Sequence, residues 1–218
     1  MMLDRSAGLG PAEAELLAGD LARRHRGFTV VQWFDQRTLT ALCHEATAAY
    51  DTADIQQTHV DDEADGRGGV PARSIWSAAG GPVQDAVYHD PELSRRLSAL
   101  CEIRIVPSGG RGSYSYYLGG AFLALHRDIA TCDLSMITVL SDTSMPSSNE
   151  STLVVYPDRN HEGLRAIRAD LSTGAEPVRA GVGQTVLILG GIVAHQVLPT
   201  VAPSQRVVSV LCFEAVGH

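Results

Sequence analysis

The chain has 218 residues, 44% of them hydrophobic, enough for one substantial domain with a real core and too few for two comfortable ones. A net charge of −8 argues against the basic face that phosphate recognition needs, and all 17 cationic residues are Arg, which excludes a Schiff-base lysine and a G-x-x-x-x-G-K-[ST] phosphate loop. No apolar run is long enough to span a bilayer, and Met1 to Ala14 lacks a basic start followed by an apolar stretch, so the expectation is a single cytoplasmic domain over 1–218 with no membrane and no nucleic-acid partner.

In chain order, Pro11 opens a helix whose stripe is Leu16, Leu17 and Leu21, running to Arg26 before Gly27. Residues 28–34 (FTVVQWF) read as a strand. Asp35 caps a helix predicted to run to about Ala53, with Leu39, Leu42, Cys43 and Ala46 on one face. Residues 56–72 are acidic, polar and Gly-rich without apolar period, which predicts a long loop of the kind used as a lid or binding segment. Asp90 then caps a helix that starts at Pro91 and carries Leu93, Leu97 and Leu100. From residue 102 the pattern changes to short strands between Gly- and Pro-containing turns: 102–107, 113–118, 121–127, 134–141, 152–156, 176–180, 184–189, 194–198 and 205–214. That spacing predicts a mainly β, α+β fold: a jelly-roll core over 102–218 with a mostly helical lead-in and lid over 1–101. Cys43, Cys101, Cys132 and Cys212 form no C-x-x-C pair and are expected to be buried free thiols.

The residues that carry chemistry lie in the strand-rich part. His126-x-Asp128 ends the apolar run Ala121 to Leu125, and alternating strand side chains let residues two apart face one ion. His195, after the apolar stretch 187–193, supplies a third ligand. Two neutral imidazoles and one carboxylate on one side of an ion make the facial set that leaves other positions open for substrates. A second H-x-D, His59-Val60-Asp61, sits in the polar loop with nothing to orient it and is set aside. Arg206 begins the last apolar strand, RVVSVLCFEAV, where a partly buried guanidinium needs an anion that its planar fork can grip.

The stretch YYLGGAFLALHRD, followed by STLVVYP and AGVGQTVLILGGIVAHQVLPTVAPSQRVVSV, resembles the core of the iron(II)/2-oxoglutarate-dependent oxygenase superfamily over roughly residues 113 to 214. The earlier GFTVVQWFDQRTLTALCHEA resembles its lead-in strand and helix. The resemblance implies a double-stranded β-helix with N-terminal helices packed on it. It implies iron(II) on His126, Asp128 and His195, and 2-oxoglutarate with its distal carboxylate on Arg206. It implies O2-dependent release of succinate and CO2, coupled to hydrogen abstraction from a substrate. A tyrosine on the co-substrate is implied as well. Tyr116 is favoured over Tyr117 because it shares strand parity with His126 when no bulge intervenes, although Gly119-Gly120 favours a bulge. A Ser two residues after the Arg is common in the family; here Val208 stands there and Ser209 faces the other way, so Thr138 is the expected replacement. A carboxylate at Asp128, where halogenating relatives have a small residue, favours hydroxylation or a related outcome such as desaturation or ring closure.

On the substrate side, Arg73 and Trp76 are placed to clamp an anionic or planar group, and Met145 to Glu150 is a second expected lid. Arg127, between two ligands, should point away and make a structural contact. No Arg follows Arg206, unlike nucleic-acid-repair members, so a small molecule such as an amino acid or biosynthetic intermediate is the expected substrate. The competing readings are a cupin-like iron dioxygenase without 2-oxoglutarate, a non-catalytic metabolite-binding module and a zinc hydrolase.

Overall fold

The computed structural model describes residues 11–59, 65–145 and 148–217. The predicted first helix is two, α1 (Pro11–Ala18) and α2 (Asp20–His25). The break falls at Gly19, where a Cβ would lie 2.0 Å from the Cys101 carbonyl oxygen, so the close approach of the chain admits only glycine. Strand β1 (Phe28–Val31) is shorter than expected. Helix α3 (Gln36–Ala49) starts where Asp35 accepts a hydrogen bond from Thr38 N at 2.8 Å. It buries Leu39, Leu42 and Ala46 and ends in a short 3-10 turn over Tyr50–Thr52. Helix α4 (Pro82–Tyr88), which the sequence pattern did not mark, is held to α3 by Glu45. That carboxylate accepts from Val83 N and Gln84 N at its first turn and from the Tyr114 hydroxyl at 2.6 Å. Helix α5 (Pro91–Cys101) has the expected Asp90 cap and buries Leu93 and Leu97.

Part of the predicted loop is strand. Residues 54–58 form β2, antiparallel to β3 (Arg73–Ala79). Four of its five residues are exposed, which removes the apolar alternation that marks a half-buried strand. The remaining strands are β4 (Arg104–Pro107), β5 (Ser113–Tyr117), β6 (Phe122–His126), β7 (Leu134–Asp142), β8 (Leu153–Tyr156), β9 (Glu176–Val178), β10 (Thr185–Ile188), β11 (Ala194–Val197) and β12 (Arg206–Val216). A short helix, α6 (Leu164–Ala169), interrupts the series.

The antiparallel order is β1-β10-β7-β12-β5-β3-β6-β11-β8-β9. Strand β3 pairs β5 through Trp76–Ala79 and β6 through Arg73 and Ser74, so it joins the two halves of a sheet that curls on itself. This is the arrangement of a double-stranded β-helix, as the resemblance implied. Outside it, α3 packs over Tyr114, Tyr116, Ala78 and Leu140, while α6 covers Leu125, Val154 and Tyr156. The main apolar core joins strand residues such as Leu134, Met136 and Phe213 to Leu16, Leu21, Leu93 and Leu97 of α1, α2 and α5. No helix among the described residues is long and apolar enough to cross a membrane.

Candidate metal centre and active site

Strand pairing brings the distant ligands together. His126 ends β6 and is the Cα partner of His195 on β11, so the two rings lie 4.2 Å apart by centroid. Asp128, two residues beyond β6, is fixed by its N–H to the Gly190 carbonyl at 2.8 Å. Its Oδ1 lies 3.5 Å from His126 Nε2 and 3.6 Å from His195 Nε2. One ligand atom from each residue falls within 4.8 Å of the others, a spacing that can hold a metal ion.

The remaining polar atoms of the three are occupied. His126 Nδ1 faces Ala124 O at 2.9 Å and His195 Nδ1 faces Val193 O at 3.0 Å. A carbonyl only accepts, so each Nδ1 carries a proton, and in the neutral ring it is Nε2 that offers the lone pair. Ser135 Oγ donates to Asp128 Oδ2 at 2.5 Å, leaving Oδ1 to point inward. Fastening the outer atoms in this way fixes the direction of metal ligands. Burial lowers the His195 pKa to about 4, helped by His126 and opposed by Asp128. Burial would raise the Asp128 carboxyl, but the imidazoles and Ser135 hold it well below the usual carboxylate range. Neutral imidazole and ionised carboxylate are the forms that bind a metal.

The backing of this centre was not legible in the sequence. At Gly190 a Cβ would stand 1.8 Å from Asp128 Oδ2, and at Gly191 one would stand 2.4 Å from Arg67 Cζ. A side chain at Gly190 would displace the Asp128 carboxylate, and one at Gly191 would push the Arg67 guanidinium aside. Arg67, from the segment before β3, donates to the carbonyls of Ile129 at 2.8 Å and Cys132 at 3.1 Å. It also bonds the carboxylates of Asp133 and Glu13, pinning the loop that follows Asp128. Arg127 does point away, donating to the carbonyls of Ile192 and Glu162 at 2.8 and 2.7 Å. The expectation of four free thiols is corrected: Cys132 and Cys212 form a disulfide, and only Cys43 and Cys101 are free. The pairing follows from register, since Cys212 on β12 sits opposite Ser135 on β7, three residues past Cys132. A separation of 80 residues conceals this in the sequence.

The three ligands open into an internal cavity of about 130 Å³ that Arg206, Tyr117, Ser115 and Val208 also line. Arg206 is buried, with Nη1 3.1 Å from Asp142 Oδ2 and Nη2 at a long 3.5 Å from Ala180 O. Burial pulls its pKa below the ordinary value against the support of Asp142 and Tyr117. Tyr116 does not face the cavity. Its hydroxyl donates to Ala46 O on α3 at 2.6 Å, while Tyr117, the Cα partner of Arg206, points in. The parity argument fails at a bulge: His195 pairs with His126 but Val197 pairs with Leu123, so Ala124 and Leu125 of β6 together oppose Gln196 alone. Thr138 also faces away; its hydroxyl lies 2.9 Å from Thr185 Oγ1, and its neighbour Ile137 lines the cavity instead. Ser115, the Cα partner of Val208, supplies the hydroxyl on the inner face.

Arg73 and Trp76 separate as well. Trp76 turns to the outer face, 6.3 Å from the Tyr50 ring by centroid, whereas Arg73 shares the inner face of β3 with Ile75, a cavity residue. His59 is exposed at the end of β2; Val60 and Asp61 lie outside the described residues, as do Pro146 and Ser147 of the second expected lid.

No protein-family model and no curated protein sequence matches the chain. Solved structures do. A Pseudomonas putida prolyl-4-hydroxylase superposes with a TM-score of 0.61 at 16% identity, covering 93% of this chain and 100% of that one. SnoN, a non-heme alpha-ketoglutarate-dependent epimerase from nogalamycin biosynthesis, gives 0.65 at 12% identity over 92% and 83% of the two chains. EctD from S. alaskensis, solved with bound Fe, gives 0.62 at 16% identity over 99% and 79%. The chain has the double-stranded β-helix fold of these oxygenases, and on it a His-Asp-His cluster able to hold a metal ion.

Proposed function

We propose that this protein is an iron(II)- and 2-oxoglutarate-dependent oxygenase that hydroxylates a small molecule, such as an amino acid or a biosynthetic intermediate, with release of succinate and CO2. The observation that carries the reading is a buried arginine, Arg206, lining the same cavity as His126, Asp128 and His195. A metal cluster alone suits many chemistries. A metal cluster sharing a small closed space with a guanidinium suits a co-substrate that is both chelating and dianionic.

In this reading His126 Nε2, His195 Nε2 and Asp128 Oδ1 hold the iron, and Arg206 grips the distal carboxylate of 2-oxoglutarate. Tyr117 and Ser115 stand beside Arg206 to complete that carboxylate's hydrogen bonds. The bound iron and 2-oxoglutarate supply the oxidising chemistry with O2. The chain's own work is to hold the ligand atoms still, to keep the His195 imidazole neutral and to exclude bulk water with the apolar wall of Ile75, Leu123 and Val197. Structures on this fold include a hydroxylase and an epimerase; the carboxylate at Asp128 supports hydroxylation here.

The test is succinate release by purified protein with iron(II), O2 and 2-oxoglutarate, each omitted in turn. Release that requires all three is expected. Turnover of oxygen without 2-oxoglutarate would point to a cupin-like dioxygenase, and activity with zinc under anaerobic conditions to a hydrolase.

A further inference from the structure

The buried and half-buried arginines differ in how well they are matched. Arg67 and Arg127 spend their guanidinium groups on loop carbonyls, Arg159 on Glu162 and the Asp170 carbonyl, and Arg206 on Asp142. Arg96 rests over the Trp33 ring and Arg168 reaches the Leu125 carbonyl, which leaves Arg73 without a comparable contact. The residue is half-buried, its Nε is shielded from solvent, and its side chain makes no hydrogen bond or ion pair among the described residues. A guanidinium is costly to desolvate without an acceptor. Its position is informative. Strand β3 pairs with β2 in unbroken register, so Arg73 lies on the same face as Ile75, about 7 Å along the strand. Across the other edge Arg73 is the Cα partner of Leu123, and directly opposed residues share a face. Ile75 and Leu123 both line the cavity, and Leu123 precedes His126 by three residues. Arg73 thus stands on the rim of the cavity next to the metal-bearing strand, on a different strand from Arg206.

The cavity itself is small. About 130 Å³ is well under the few hundred Å³ typical of sites that enclose a drug-sized ligand. With a diacid inside, a second reactant has to sit at the edge, where Arg73 is. Resting on the oxygenase reading above, we infer that Arg73 anchors an oxyanion of the prime substrate, a carboxylate or phosphate, and so sets both the substrate class and its approach to the metal.

The test is calorimetric titration of anaerobic protein loaded with iron(II) and excess 2-oxoglutarate. The probes are benzoate, inorganic phosphate and the neutral benzamide. One of the anions binds and benzamide does not; whether benzoate or phosphate is preferred names the oxyanion. Arg73→Gln weakens the anion about tenfold or more, Arg73→Lys recovers part of it, and neither changes the affinity for 2-oxoglutarate. Binding of neither anion to the loaded wild type overturns the assignment, as does equal binding by Arg73→Gln. A loss of 2-oxoglutarate affinity in Arg73→Gln also overturns it, by moving Arg73 into the co-substrate site. Should Arg73→Gln not fold, Arg73→Met against Arg73→Lys carries the same comparison. Failure of the oxygenase reading is separate and visible earlier, as wild-type protein that takes up neither iron nor 2-oxoglutarate.

Discussion

The two ends of the cavity are built on opposite terms. At the His126–Asp128–His195 end, every atom that is not a prospective ligand has a protein partner: Ala124 O, Val193 O and Ser135 Oγ hold the outer atoms, and Gly190 leaves the space the carboxylate fills. At the Arg206 end, a buried guanidinium with several N–H donors has one contact at 3.1 Å and one at 3.5 Å. The first end is preorganised, so a metal arriving there has little to rearrange. The second is under-satisfied, so an anion arriving there gains what the protein leaves unfilled. Under the proposed function, the resident metal belongs at the first end and the exchanged anion at the second.

The largest effects should come from breaking the preorganised end. His126→Ala, Asp128→Ala and His195→Ala are each expected to abolish iron binding and to reduce 2-oxoglutarate-dependent succinate release to background, because two remaining ligands hold iron poorly. Retained turnover in any one of them removes that residue from the cluster. Next comes the other end. Arg206→Met keeps the apolar stem and deletes the charge, and losing a charge-assisted pair of roughly 1.5–3 kcal/mol should raise the 2-oxoglutarate requirement roughly ten- to hundredfold. Iron affinity measured without 2-oxoglutarate should stay put; if it falls too, the two ends are not the independent units described. A smaller effect is expected from Ser135→Ala. Asp128 Oδ2 then loses its donor while the ligand itself remains, so iron should bind about tenfold more weakly, with the 2-oxoglutarate requirement unchanged once iron is saturating.

How much of this was legible follows from what kind of constraint each residue obeys. His126, Asp128, His195 and Arg206 stood out because each lies at or just beyond the end of an apolar stretch, where a polar side chain contradicts the local pattern. The strand-rich core was readable for the same reason. What escaped are residues whose reason lies across space. Ser135 is an ordinary strand residue until the loop places Asp128 beside it. Arg67 lies in a stretch that reads as lid, yet its partners are the carbonyls behind the metal cluster. Gly190 and Gly191 read as a turn, and only the structure shows that a Cβ would collide with Asp128 or Arg67. The Cys132–Cys212 bond depends on β7–β12 register. Strand β2 was hidden by exposure, and α4 and α6 by their brevity.

The finest test of the two-ended cavity concerns adjacent residues. Tyr116 and Tyr117 differ by one position and face opposite sides of β5, and the bulge in β6 reverses the parity that favoured Tyr116. Burial raises the Tyr117 pKa to about 12, so its phenol is protonated at neutral pH and available as a donor beside Arg206. Tyr117→Phe removes one hydrogen bond to the charged carboxylate of the diacid, about 1.5 kcal/mol at the low end for a charged acceptor, and should raise the 2-oxoglutarate requirement roughly tenfold without changing the fold. Tyr116→Phe removes the bond to Ala46 O instead, so a similar free energy should appear as lost thermal stability with the co-substrate requirement unmoved. Measuring half-saturation by 2-oxoglutarate and the unfolding midpoint for both variants separates the two faces of one strand. If the two mutants exchange these phenotypes, the inner face has been assigned to the wrong tyrosine, and the position of Ser115 beside Arg206 goes with it.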